Sequence, residues 1–174
     1  MARLSLIALL ALALTGVAQG NPSSQQQLSD GRVHIFEGWE YAVCGSENDI
    51  VEIKSINISP DPPKPGQNLT VNVVAYAHEV VEEGAYVDVT VKLGLIKLLH
   101  KQFDVCEEAR KSDVDIQCPV EKGPYNVSQT VALPKEIPPA KFVVEIQGYT
   151  VNDEDLVCVN LKVDFMRKMS LNLW

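Results

Sequence analysis

Between Asn68 and Leu95 the chain carries two runs of strict alternation, separated by an acidic turn that contains Gly84. In the first run Leu69, Val71, Val73, Ala75 and Ala77 fall on one parity, opposite Asn68, Thr70, Asn72, Tyr76 and His78. In the second, Ala85, Val87, Val89, Val91, Leu93 and Leu95 oppose Tyr86, Asp88, Thr90 and Lys92. Successive side chains of a strand point to opposite faces, so each run predicts a strand with one wet and one apolar face. The turn between them predicts a central hairpin. Further strands are predicted over 39–44, 50–59, 125–133, 141–151 and 156–166, which makes about seven. Within 50–59 the apolar parity changes between Ile53 and Ile56, as a β-bulge would require. After the first residues no helical periodicity lasts beyond a turn.

The connections carry turn chemistry: Pro60 to Gly66, Lys122-Gly123-Pro124, Pro134 to Pro139, and Asn152 to Asp155. Short strands with Pro/Gly turns predict an all-β fold, an immunoglobulin-like antiparallel β-sandwich. Gly94 and Gly148 interrupt strand patterns and predict a bend or a close approach to the backbone. The inward residues are aliphatic and often small, and aromatic residues make up only 6% of the chain. Phe142 and Phe165 are the clearest inward rings. Large side chains usually fill the space of about 10 Å between two sheets. Small ones either let the sheets approach or leave room between them, and the pattern alone is compatible with both.

Export changes the picture. Arg3, the apolar run from Leu4 to Leu14 and the small residues that follow predict a signal peptide over 1–18, with cleavage after residue 20 as the alternative. Residues 19–37 are polar at first and read as a flexible leader or pro-segment, leaving 38–174 as the folded domain. Three N-glycosylation sequons begin at Asn57, Asn68 and Asn126, and each requires surface exposure. The expected location is the secretory pathway, either a vacuolar or lysosomal lumen or the extracellular space. In that oxidising setting Cys44, Cys106, Cys118 and Cys158 are expected to form disulfides, and four cysteines allow three pairings. Locality favours Cys106–Cys118, tying down the charged stretch between them, which leaves Cys44 for Cys158. A metal site is not supported: no Cys-x-x-Cys occurs and no histidine lies near a cysteine.

The net charge of −8 argues against a nucleic-acid partner. Catalytic motifs are missing: no Gly-x-Ser-x-Gly elbow, no His-Glu-x-x-His and no phosphate-cradling glycine loop. His34, His78 and His100 are scattered, and Asp153-Glu154-Asp155 reads as solvated charge in a turn. The chain is therefore expected to be neither an enzyme nor dependent on a cofactor. A secreted sandwich of this kind could instead recognise protein or carbohydrate through its loops.

The run Ala85 to Gly94, followed by Ile96-Lys97-Leu98-Leu99, resembles fungal phosphatidylglycerol/phosphatidylinositol transfer proteins of the ML lipid-recognition family, which also contains the Niemann–Pick type C luminal sterol carrier. Supporting stretches are Ile116 to Gly123 with its Cys-Pro step, Pro139 to Glu145, and Leu156 to Val159. The resemblance implies a sandwich whose sheets part to hold one lipid molecule, phospholipid or sterol, moved between membranes without catalysis. It supports Cys44–Cys158 and Cys106–Cys118. It implies a cavity lined by Val71, Val73, Val89, Val91, Leu93, Phe142, Val144, Ile146, Leu161 and Val163. It also implies a mouth beside the short disulfide loop, at Pro119, Val120 and Tyr125. The expected associations are transient membrane contact, a membrane sterol transporter as an acceptor, and a monomeric carrier.

Overall fold

In the computed structural model, residues 33–112 and 116–166 are described. The segment expected to be a signal peptide and most of the expected leader lie outside them. Nine strands and one helix follow in the order β1 (Val33–Ile35), β2 (Trp39–Val43), β3 (Val51–Ser59), β4 (Asn68–Ala77), β5 (Tyr86–Leu93), β6 (Ile96–Asp104), α1 (Val105–Lys111), β7 (Gly123–Ala132), β8 (Lys141–Tyr149) and β9 (Asp155–Asp164). They form two antiparallel sheets, one of six strands in the order β1-β2-β9-β8-β5-β6 and one of three in the order β3-β4-β7. The fold class is therefore the sandwich that the alternation predicts, with more strands than expected.

Four expectations need correction. The two alternating runs are not a hairpin: β4 belongs to the small sheet and β5 to the large one, so the acidic connection crosses between them. Alternation specifies which face of a strand is apolar, not its partner, and both apolar faces are satisfied by looking across the interior. The crossing is anchored by Val81, which is buried and pairs with Val120. Second, the partner of β5 in a true hairpin is β6, a strand that the pattern does not reveal. Gly94, at φ 58°, takes the first position of a two-residue turn of type II′, which suits glycine. Leu95 is consequently not on the inner face but wholly exposed at the turn. The register shift between Val91 and Lys92 inserts Leu98 as an extra residue, which breaks the alternation of β6.

Third, the charged stretch after Asp104 is not all loop. The Asp104 carboxylate accepts the Glu107 N–H at 2.7 Å and caps α1, with Glu107 and Glu108 in its first turn and Arg110 and Lys111 in its last. These charges complement the helix dipole, and seven residues are too few to show periodicity. Fourth, Val33–Ile35, inside the segment expected to be leader, pair with β2 as a short edge strand. Other details match the pattern. The bulge in β3 falls between Ile53 and Ser55. Gly148 permits a close approach, since a Cβ there would meet Val157 Cγ1 at 2.8 Å. The acidic turn is partly engaged: the Tyr86 hydroxyl donates to Asp153 at 2.6 Å, and this bond pushes the phenol up to about 12.

Two apolar clusters hold the sheets together. On one side Trp39, Tyr41 and Val159 of the large sheet meet Ile56 of the small one, with Ile53, Ile58, Val71 and Val73 around them. The Ile56 N–H donates to the Tyr41 hydroxyl at 3.4 Å across the gap. At one end Ile50, Val81, Ala85 and Leu156 are buried together, flanked by Val51, Val105 and Val120. Disulfides join Cys44 to Cys158 and Cys106 to Cys118. The first ties β2 to its neighbour β9, and the second ties α1 to the segment leading into β7. Replacing the Cys44–Cys158 pair by alanine, which frees a separation of 114 residues, should lower unfolding free energy by about 5 kcal/mol. The Cys106–Cys118 pair, separated by 12, should cost about 3 kcal/mol, so urea midpoints should fall further for the first pair than for the second.

Candidate functional site

The site is assembled from the inner faces of both sheets. Register places Val89, Ile146 and Val159 in one row across β5, β8 and β9, with Val91, Val144 and Leu161 in the next and Leu93, Phe142 and Val163 in a third. From the small sheet Val71 and Val73 face the same interior, paired with Ile58 and Ile56. All ten residues expected to line a cavity are thus on inward positions of the sandwich.

Their burial is the informative part. None of the ten is fully buried; each retains partial solvent access. β4, β5 and β8 each have hydrogen-bonded neighbours on both sides, so no sheet edge exposes their inner residues. Access to them comes through the space between the sheets. Thr90 gives the comparison: it points outward between Val89 and Val91, bonds the His100 ring at 3.0 Å, and is only 9% exposed. An outward threonine is better covered than the valines on either side of it that face the interior. In a filled sandwich the order would be reversed.

The gap is not uniform. The sheets approach most closely between β3 and β9, where the Trp39–Tyr41 cluster packs. β6 and β7 are the terminal strands of their sheets on the opposite, splayed side, where the sheets make no approach comparable to that between β3 and β9. The end near α1 is closed by the Val81–Val120 pairing. At the other end, apolar side chains are left in solvent: Leu95 entirely, Ile96 at 64%, Leu99 at 47% and Val131 of β7 at 43%. A depression of about 370 Å³ lies at this same end, with Phe36, Trp39, Phe142 and Val163 in its wall. The indole N–H of Trp39 is buried without a hydrogen-bond partner among the described residues.

The three residues expected at a mouth fall at the closed end or near it. Val120 is engaged in pairing with Val81, Pro119 is exposed beside it, and Tyr125 faces inward on β7 while its hydroxyl donates to the Glu121 carbonyl at 2.6 Å. What the pattern missed is the exposed β5–β6 turn. Its signal was the sequence Leu95-Ile96-Lys97-Leu98-Leu99, too apolar for a solvated loop once Gly94 is read as a turn. Nothing in this geometry supports bond-making chemistry. The one grouping of metal-type ligands among the described residues, Glu83 with Cys106 and Cys118, has both sulfurs committed to a disulfide. No helix among the described residues is long and apolar enough to cross a membrane.

An aliphatic interior that stays accessible between two sheets defines a class of sandwich built around an apolar ligand. Comparison with known proteins narrows this. The family model described as the ML domain matches residues 38–165. A phosphatidylglycerol/phosphatidylinositol transfer protein of Cryptococcus neoformans is 55% identical over 91% of this chain and 88% of its own length. A protein of the same name from Mycosarcoma maydis is 49% identical over 74% of this chain and 67% of its own. The chain belongs to the ML domain family. Among solved structures, a Niemann–Pick type C2 protein from the Japanese carpenter ant aligns with a TM-score of 0.56 at 19% identity, over 75% of this chain and 98% of that one. Chicken MD-1, solved with lipid IVa, aligns with a TM-score of 0.56 at 16% identity, over 72% and 88%. Both show the same fold.

An interior with room to spare responds to enlargement differently from a packed core. Val91→Trp should cost less than about 1 kcal/mol in urea unfolding, where overpacking a filled core costs about 1–3 kcal/mol. The same variant should bind a fluorescent fatty-acid probe at least about threefold more weakly, because the ring occupies space the acyl chain needs.

Proposed function

We propose that this protein is a soluble, non-catalytic carrier that encloses the acyl chains of one lipid between its sheets and moves it between membranes. The observation that carries this reading is the partial solvent access of inner-face valines on strands with neighbours on both sides. The names of its relatives point the same way, to phosphatidylglycerol and phosphatidylinositol as cargo. The physical need is plain. Each methylene exposed to water costs about 0.8 kcal/mol, so a long acyl chain faces roughly 10 kcal/mol or more when it leaves a bilayer unaided. The lining expected from the sequence, from Val71 and Val73 through Val89, Val91 and Leu93 to Phe142, Val144, Ile146, Leu161 and Val163, removes most of that cost.

The splayed β6–β7 side and the end bearing the β5–β6 turn form the mouth in this reading, in place of Pro119 and Val120. Leu95, Ile96 and Leu99 dip into the outer layer of the membrane, so lipid passes without meeting bulk water. In this reading the protein works as a monomer, and its two disulfides support an oxidising lumen or the extracellular space as its location. Asn57, Asn68 and Asn126 are exposed and share the outer face of the small sheet, so glycans there would point away from the interior.

The test is transfer of fluorescent phosphatidylinositol, phosphatidylglycerol and sterol between donor and acceptor vesicles. The expected result is a rate well above the spontaneous one for at least one of them; spontaneous rates for all three refute the carrier. Replacing both Leu95 and Ile96 by aspartate should slow transfer at least about tenfold while the lipid held per protein is unchanged, since only membrane contact is lost.

A further inference from the structure

The inner face of the sandwich is apolar almost throughout, and its polar exceptions sit on edge strands. On β6 the residue paired with Val89 is Lys101, between Leu99, paired with Val91, and Phe103, paired with Val87. Direct cross-strand partners share a face, so Lys101 projects on the interior side of its sheet. Its side chain lies along that face: the ammonium sits over the Phe103 ring, 4.4 Å from the centroid. On β7, the facing edge, the residue paired with Val71 is Gln129, between Val127 and Val131. Each terminal strand of the splayed side therefore carries one polar side chain on its otherwise apolar interior row.

Charge makes Lys101 distinctive. The protein is acidic, with a net charge of −8, yet from Tyr86 to Phe103 the only carboxylate is Asp88, against Lys92, Lys97 and Lys101. Lys92 is neutralised by Glu145 at 2.6 Å. Lys97 and Lys101 form no ion pair among the described residues. Of these two, Lys97 pairs with Lys92 and so points to the outer face. Lys101 is the unneutralised cation turned towards the interior. Lys101 is exposed, so water solvates its ammonium in the free protein, and an anion brought to this rim gains a charge-assisted contact beside the apolar rows.

We propose that Lys101 receives the phosphate of a glycerophospholipid with a net negative headgroup and makes the carrier selective for such lipids over zwitterionic phospholipids and sterols. Gln129 extends the polar rim on the facing edge with hydrogen-bonding capacity for headgroup hydroxyls. The acyl chains run inward along Val89 and Val91, while the phosphate stays at the half-wet edge where its desolvation is smallest. This rests on the carrier reading and adds to it the residue that sets headgroup choice.

The full-length secreted protein is incubated with vesicles containing equal amounts of phosphatidylglycerol, phosphatidylinositol, phosphatidylcholine and sterol, and the bound lipid is extracted and quantified by mass spectrometry. Wild type should be enriched in the two anionic lipids. Lys101→Gln should lower the ratio of anionic lipid to phosphatidylcholine about tenfold, the value of one charge-assisted contact, without lowering total lipid per protein. Lys101→Arg should retain the ratio, and so should Lys97→Gln, which removes the same charge from the outer face. An unchanged ratio in Lys101→Gln overturns the proposal. So does an equal fall in Lys97→Gln, which would mean diffuse attraction to anionic membranes instead. A wild type that holds no lipid of any class refutes the carrier reading itself, a result distinct from either.

Discussion

Along one side the two sheets are locked by Trp39, Tyr41, Val159 and Ile56, and at one end by Val81, Ala85, Ile50, Leu156 and the pairing with Val120. These clusters contain most of the large, fully covered side chains of the domain. Away from these anchors the inner faces carry mainly aliphatic residues, Val71, Val73, Val89, Val91, Val144, Ile146 and Leu161, with Phe142 at the end bearing the β5–β6 turn. Aliphatic chains of that size do not bridge a widening gap. The interior is left accessible because the aromatic mass needed to fill it is spent at the anchors.

That arrangement connects the chemistry of the inner faces to a task. An apolar surface exposed to water is unfavourable in proportion to its area, so an open sandwich is stable only if its anchors supply enough burial or if something else covers the gap. A lipid chain is matched to the second role: it replaces water on the valine rows and is itself protected by them. The two disulfides serve the same economy from outside. One fastens β2 to β9 beside the anchored side, and the other fastens α1 to the approach of β7 at the closed end. Neither crosses the side formed by β6 and β7.

The outer surfaces divide the remaining work. The face of the small sheet away from the interior carries Asn57, Asn68 and Asn126, while the exposed Leu95–Leu99 turn belongs to the large sheet, at the end where Asn68 begins β4. Thr70 and Thr130 bond each other at 2.9 Å on that outer face, a polar pairing of the kind solvated sheets use. The molecule thus has a hydrated back and a greasy lip, with the sheet gap between them.

Strict alternation was enough to identify β4, β5, β8 and β9 and to sort their inward from their outward residues, because period two is a local property of each strand. The bulge of β3 and the exposure of Asn68 followed from the same parity. Pairing was not local. That β4 and β5 face each other across the interior rather than lying side by side depends on burial of Val81 against Ile50, Ala85 and Leu156, residues far apart in sequence. The strand β6 was hidden because its bulge at Leu98 shifts the parity, and α1 because seven residues hold no period. Whether the aliphatic interior is filled or open was equally undecidable from composition: it is set by how far the sheets diverge from their anchors, and only three-dimensional placement fixes that distance.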